Sequence, residues 1–123
     1  MSGDVKRNIR VAERIREEVA SAINLRISDP RVKGVVVTRV DLSPDLSSAR
    51  VFVRLSENDN DDTRRQALRG LKSASPVMRR GLGKALDLRR IPELNFYVDE
   101  GMDAQARIVE LLDEIAKERK SSE

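Results

Sequence analysis

The sequence predicts an α+β fold in which helices cover one face of a three-stranded sheet. Two long segments, residues 5–26 and 64–88, repeat apolar residues at steps of three and four, the period of an amphipathic helix. Two shorter segments between them, residues 35–42 and 49–55, are rich in β-branched residues and alternate as strands do. Helices and strands grouped in this order are typical of an α+β sandwich.

The first helix is predicted over residues 5–26, where Ile15, Val19 and Ile23 belong to one apolar stripe. It must end before Pro30, because proline cannot extend the hydrogen-bond ladder and pushes the residue before it out of the helical region. A turn is therefore expected at Asp29-Pro30-Arg31.

The two strands are predicted to pair as an antiparallel hairpin, because the turn-forming segment SPDLSS at residues 43–48 joins them. Strict alternation assigns four residues of the first strand to the core: Val36, Thr38, Val40 and Leu42. The opposite face then carries an exposed Phe52 among Arg39, Arg50 and Arg54. This face is one candidate for RNA contact, because aromatic rings stack on bases; the basic segment described next is the other.

Residues 64–92 carry most of the positive charge of the chain. They contain nine Lys or Arg and one Asp, a formal charge of +8, whereas the whole chain of 123 residues carries +3. Such segregation indicates a surface that binds a polyanion such as RNA. The candidate phosphate contacts are Arg65, Arg69, Lys72, Arg79, Arg80, Lys84, Arg89 and Arg90. Arg31 is a further candidate, although its guanidinium could instead cap local carbonyls.

A proline divides this basic segment. Pro76 in a helix interior would cost ~3 kcal/mol, whereas Ser75-Pro76 fits an N-cap followed by a first helical position. The sequence therefore predicts two helices joined at a kink formed by Ala74, Ser75 and Pro76. The first should begin with Thr63 in a capping box, and the kink would set the angle between two cationic stripes.

The remaining chain predicts a third strand at residues 94–98, with Tyr97 on the same face as Phe52, and a last helix from Asp103. All 123 residues are expected to form a single domain, with frayed tails at residues 1–4 and 117–123.

The composition argues against most kinds of catalysis. The chain has no histidine and no cysteine, which removes the usual general base, thiol nucleophile and zinc ligands. A hydrolase could use Asp45, Asp99 and Asp103 with a metal, but turns and helix N-caps favour aspartate for structural reasons. We therefore expect no enzymatic activity, no metal and no cofactor. No apolar run approaches the roughly 20 residues of a membrane span, so we expect a soluble cytoplasmic protein.

Three motifs stand together in this sequence. They are Asp29-Pro30-Arg31-Val32, then VDLSPDLSSARV at residues 40–51, and then LRRIPELNF at residues 88–96. In this order and spacing they closely resemble the bacterial ribosome-binding factor A family. The resemblance extends over about residues 5–115, nearly the whole chain.

The resemblance implies a type II KH-like domain with the order α-β-β-α-(kink)-α-β and a C-terminal helix. It also implies a monomeric factor that binds the immature small (30S) ribosomal subunit and its 16S rRNA during late rRNA processing and supports growth in the cold. Docking on a small-subunit ribosomal protein is the alternative. The family lacks the GxxG loop of ordinary KH domains, as does this sequence, and Ala74-Ser75-Pro76 stands where the family has an Ala-x-Gly kink.

Overall fold

A computed structural model describes residues 2–100 of the chain, with side chains described from Lys6 onward. Its elements are α1 (Ser2–Leu25), a one-turn 3₁₀ helix (Pro30–Val32), β1 (Val35–Leu42), β2 (Ser48–Leu55), α2 (Asp61–Leu86) and β3 (Glu93–Val98). The α+β fold with a three-stranded sheet is confirmed, in the order β1-β2-β3. The predicted last helix from Asp103 and the tail at 117–123 lie outside the described residues.

The core lies between the two helices and one face of the sheet. Ile15 and Val19 from α1 meet Leu71 and Met78 from α2 above the sheet residue Val51, and all five are almost fully buried. The apolar periodicity of both helices is thereby explained, because each helix turns its apolar stripe toward the same sheet face.

The end of α1 follows from the proline motif. Asp29 caps the 3₁₀ helix, where its Oδ1 accepts a hydrogen bond of 2.9 Å from the N–H of Arg31. Pro30 occupies the first helical position, where its missing N–H costs nothing. The turn predicted at Asp29-Pro30-Arg31 is confirmed.

The first strand contains a β-bulge that the sequence did not predict. β1 and β2 pair antiparallel, but the register shifts between Val37 and Arg39. The extra residue reverses the alternation, so Val37 is buried whereas Val36 is 42% exposed. The prediction that Val36 and Thr38 face the core is therefore wrong, while Val40 and Leu42, beyond the bulge, do pack on it.

The bulged residue is tied to the end of β3. The hydroxyl of Thr38 lies 2.7 Å from Oδ2 of Asp99 and 3.2 Å from the carbonyl oxygen of Phe52. The N–H of Asp99 in turn donates to the carbonyl of Val53. These contacts hold the bulge in place across all three strands.

The β1–β2 turn is organised around one carboxylate. Oδ1 of Asp45 accepts hydrogen bonds from the hydroxyl of Ser47 at 2.7 Å, the hydroxyl of Ser43 at 2.8 Å and the N–H of Ser47 at 3.1 Å. The two hydroxyls, Ser47 first, and then the N–H lower the pKa of Asp45 to about 2, because hydrogen bonds to the charged form favour it.

The N-cap of α2 lies three residues before the predicted one at Thr63. It is Asn60, whose side chain accepts the N–H of Thr63 at 2.9 Å, and the Thr63 hydroxyl accepts the N–H of Asn60 at 3.0 Å. The capping box predicted with Thr63 as the N-cap is therefore wrong, because Thr63 is the third helical residue of a box that Asn60 opens. Asp61 and Asp62 occupy the first turn, where carboxylates favour the positive end of the helix dipole.

The prediction of two separate helices is wrong. α2 continues without a break through Ala74, Ser75 and Pro76 to Leu86, so Ser75 is not an N-cap. Two facts account for this. Lys72 and Pro76 are both exposed residues, so the hydrogen bond that proline removes between them belongs to the solvent side of the helix. Both halves of α2 also bury side chains in one core, which favours a helix that continues through Pro76.

A glycine lets the 3₁₀ helix pack closely on α2. A Cβ at Gly70 would lie 2.9 Å from Cγ1 of the buried Val32 and 3.2 Å from Cβ of Arg31. We expect Gly70→Ala to lower the free energy of unfolding by about 1–3 kcal/mol, because the well-packed neighbours must shift. Urea denaturation measures this change.

Gly81→Ala is the matched control for that substitution. The three atoms nearest to its Cβ would all belong to the guanidinium of Arg26, the closest at 2.9 Å, and this exposed side chain can move away. The gain in helix propensity, up to ~1 kcal/mol, should then make Gly81→Ala neutral or stabilising. Equal destabilisation by both substitutions would contradict the packing account.

Candidate nucleic-acid interface

Five cations follow one another along the solvent side of α2. We call them the α2 stripe: Arg65, Arg69, Lys72, Arg80 and Lys84, all exposed. Successive members lie three, four or eight residues apart, so they share one face of a helix with 3.6 residues per turn. The buried residues Leu71, Met78 and Leu82 occupy the opposite side.

The stripe is continuous because the helix is continuous. Pro76 lies midway between Lys72 and Arg80, four residues from each, and is itself exposed on the same side. From the first to the last cation the stripe covers about 28 Å at the usual rise per residue. The two predicted stripes are therefore one row.

Most of the charge on the stripe is uncompensated. Arg65 approaches a carboxylate, with its Nη2 3.9 Å from Oδ1 of Asp62, and both side chains are well exposed. Within the described part of the chain, no carboxylate pairs with the other four members. A row of free cations on a rigid helix is able to bind the regularly spaced phosphates of a nucleic acid.

Arg79 does not belong to the stripe. It is half-buried, and its guanidinium donates from Nε to the carbonyl of Pro92 and from Nη2 to the carbonyl of Ile91, each at 3.1 Å. The sequence predicted a phosphate contact at this residue, but the structure directs its guanidinium to the main chain before β3.

The segment from Asp87 to Pro92 adds two exposed cations directly after the end of α2. Asp87 ends α2 in the left-handed region, with φ of 49°, and Arg89 and Arg90 are exposed. Ile91 packs on the helix at Gly83, where an added Cβ would lie only 2.7 Å from Cδ1 of Ile91. Gly83 thus permits close packing of Ile91 on the helix.

Arg31 is exposed but paired. Its Nε lies 3.1 Å from both carboxylate oxygens of Asp29, and its Nη2 lies 2.7 Å from Oδ2. The Arg31 guanidinium, and then the Arg31 N–H, hold the pKa of Asp29 below its usual value. An ion pair with Asp29 thus takes the place of the alternative cap at local carbonyls, and Arg31 offers less free charge than the stripe does.

The outer face of the sheet, opposite the helices, is less open than predicted. Phe52 is 8% exposed rather than solvated, with the guanidinium carbon of Arg39 4.2 Å above its ring centroid and the Tyr97 ring 5.6 Å away. Arg39 also pairs with Asp41 at 3.1 Å. Of the predicted stacking residues, only Tyr97, 45% exposed, presents a substantial free surface. Arg50 and Arg54 remain exposed beside it.

Of the carboxylates suggested for catalysis, the two that the structure describes are each used in structural contacts. Asp45 is engaged in its turn, Asp99 accepts the Thr38 hydroxyl, and Asp103 lies outside the described residues. Residues 2–100 contain no group of three acidic side chains placed to hold a metal ion. Neither helix in the same range is long and apolar enough to cross a lipid bilayer.

A groove between α2 and β3 was not predicted. Its volume is about 570 Å³, and its walls include Lys72, Ser75 and Pro76 from α2 and Asn95 and Tyr97 from β3. Within residues 2–100, β3 is an edge strand that pairs in parallel with β2, and its other edge faces this space. Strand order decides this arrangement, and strand order has no local signal in the sequence.

Comparison with known proteins assigns the family. A family model described as ribosome-binding factor A matches residues 7–112. A ribosome-binding factor A from Sorangium cellulosum is 47% identical over 116 residues, which is 94% of this chain and 93% of that protein.

Solved structures agree with this comparison. The crystal structure of ribosome-binding factor A from Thermus thermophilus matches with a TM-score of 0.68 and 25% identity, covering 78% of this chain and 99% of that one. A second match is a homology model of the Thermus thermophilus factor, fitted into a cryo-EM map of its complex with 30S. It has a TM-score of 0.59 and 27% identity, and the match covers 75% of this chain and 94% of that one. The chain belongs to the ribosome-binding factor A family.

Proposed function

We propose that this protein is a non-enzymatic ribosome assembly factor. It binds the immature small (30S) ribosomal subunit through 16S rRNA and assists late maturation and processing of that RNA, acting as a monomer in the cytoplasm and supporting growth in the cold. The observation that carries the proposal is the α2 stripe, a row of exposed cations on one helix of a chain with a net charge of only +3.

The geometry of the stripe supports phosphate binding. Lysine and arginine side chains project from a helix that the core holds from behind, so binding RNA requires little reordering of the backbone. Arg89 and Arg90 extend the positive surface beyond the end of α2. Lys72 lies both in the stripe and in the wall of the groove beside β3, which gives an RNA strand a path from the helix toward the sheet edge.

The relatives support the choice of the small subunit. One of the matched structures is a Thermus thermophilus ribosome-binding factor A fitted into the map of a complex with 30S. Membership of the same family carries this partner to the present chain as part of the proposal. The proposal includes no catalytic step, since Asp45 and Asp99 are both used in turn and bulge contacts.

The second candidate is docking on a small-subunit ribosomal protein, since a basic surface also fits an acidic protein. Binding of the purified protein to naked 16S rRNA fragments separates the two. We expect saturable binding to naked RNA that free small subunits displace. Binding to assembled subunits with none to naked rRNA would favour the ribosomal-protein partner.

A further inference from the structure

Arg79 holds a cationic loop in place. We propose that this residue, rather than binding phosphate itself, is a positioning residue that fixes the segment 87–92 against α2, so that Arg89 and Arg90 join the end of the stripe in one RNA-binding surface. This inference rests on the proposed function and specifies which side chains build its surface.

The hydrogen bonds of Arg79 favour this role. An arginine has five N–H donors in a rigid fork, and here donors from two nitrogens reach the carbonyls of consecutive residues, Ile91 and Pro92, at 3.1 Å. The side chain is half-buried, and Pro92 is fully buried. A main-chain carbonyl in such a place needs a donor, and Arg79 provides one to each of the two.

A second contact fastens the same loop one helical turn later. Ile91 lies against Gly83, where even a Cβ would come within 2.7 Å of its Cδ1. Positions 79 and 83 are four residues apart and therefore neighbours along α2. The loop is fixed at its start as well, because Asp87 ends the helix in a left-handed conformation.

The charges explain why the loop needs contacts that hold it against α2. Arg80, Lys84, Arg89 and Arg90 are all exposed and of one sign, and like charges placed together repel each other. Without RNA, a free loop would swing its arginines away from the helix. Neutral carbonyls held by Arg79, together with the apolar contact at Gly83, keep the loop against α2 without adding an anion that would weaken RNA binding.

The test is whether positions 79 and 89–90 act together. Affinity for purified small ribosomal subunits is measured by sedimentation for Arg89→Gln with Arg90→Gln, in the wild-type background and in an Arg79→Ala background. We expect the two substitutions at 89 and 90 to lower the affinity by about tenfold in the wild-type background. In the Arg79→Ala background they should lower it by less than about twofold, since a released loop no longer engages its phosphates. Arg65→Gln with Arg69→Gln is the control pair, and it should lower the affinity by the same factor in both backgrounds.

The alternatives give different results. If the 89–90 pair lowers the affinity equally in both backgrounds, the positioning role of Arg79 is wrong. The proposed function would still stand as long as the control pair lowers the affinity. Circular dichroism checks that each variant is folded. If Arg79→Ala does not fold, Ile91→Ala loosens the same loop from its other contact and is expected to give the same loss of coupling.

Discussion

Arg69→Glu combined with Arg80→Glu is expected to lower the affinity for small ribosomal subunits by about a hundredfold, because two phosphate contacts are replaced by repulsion. Both side chains lie in the α2 stripe, on either side of Pro76, and are exposed. Neither contacts the core, so the fold should be retained. Sedimentation of the protein with purified subunits at low salt measures the loss.

The outer sheet face provides a control with the same change of charge. Arg50→Glu with Arg54→Glu alters two exposed arginines on β2 and is expected to change the affinity by less than about twofold, since nonlocal charge effects are screened at moderate salt. If this pair lowers the affinity more than the stripe pair does, the outer face of the sheet rather than α2 is the main RNA-binding surface.

Pro76→Ala is expected to raise the free energy of unfolding by about 2–3 kcal/mol, because alanine restores the helical N–H and proline is the least favourable residue in a helix interior. The helix already continues through this position, so no rearrangement is required. Part of the gain is offset, since proline also restricts the unfolded chain. Urea denaturation of the two proteins measures the difference.

Ser73→Ala is the matched control in the same exposed stretch of α2. It lacks the backbone effect and should change stability by no more than about 0.5 kcal/mol. If Pro76→Ala were as neutral as Ser73→Ala, or destabilising, the proline would be stabilising a local bend that an unbroken helix does not need.

Local rules predicted the elements well where neighbouring residues decide them. The period of α1 and α2 identified their buried faces, and Asp29-Pro30-Arg31 identified the end of the first helix. Those predictions succeeded because capping and amphipathicity act over a few residues. The interior position of Pro76 was missed because burial on both sides of it outweighs the local preference for a break.

Contacts between distant residues explain the other misses. The bulge at Thr38 depends on Asp99, which lies 61 residues away, and it moved Val36 out of the core. Arg79 appeared to be one more cation in a basic segment, since its partners at Ile91 and Pro92 become neighbours only once β3 joins the sheet. Charge counting therefore identified the basic segment but could not separate its exposed cations from a structural arginine such as Arg79.

The dependence of binding on salt tests the account most directly. If the five cations of the α2 stripe each engage one phosphate, they should contribute roughly −3.5 to −4.5 to the slope of log K for rRNA against log[salt]. Arg69→Glu with Arg80→Glu should reduce that slope by about two contacts' worth, roughly 1.4–1.8. A slope near zero, or one that the stripe variants leave unchanged, would contradict the claim that α2 binds the RNA backbone.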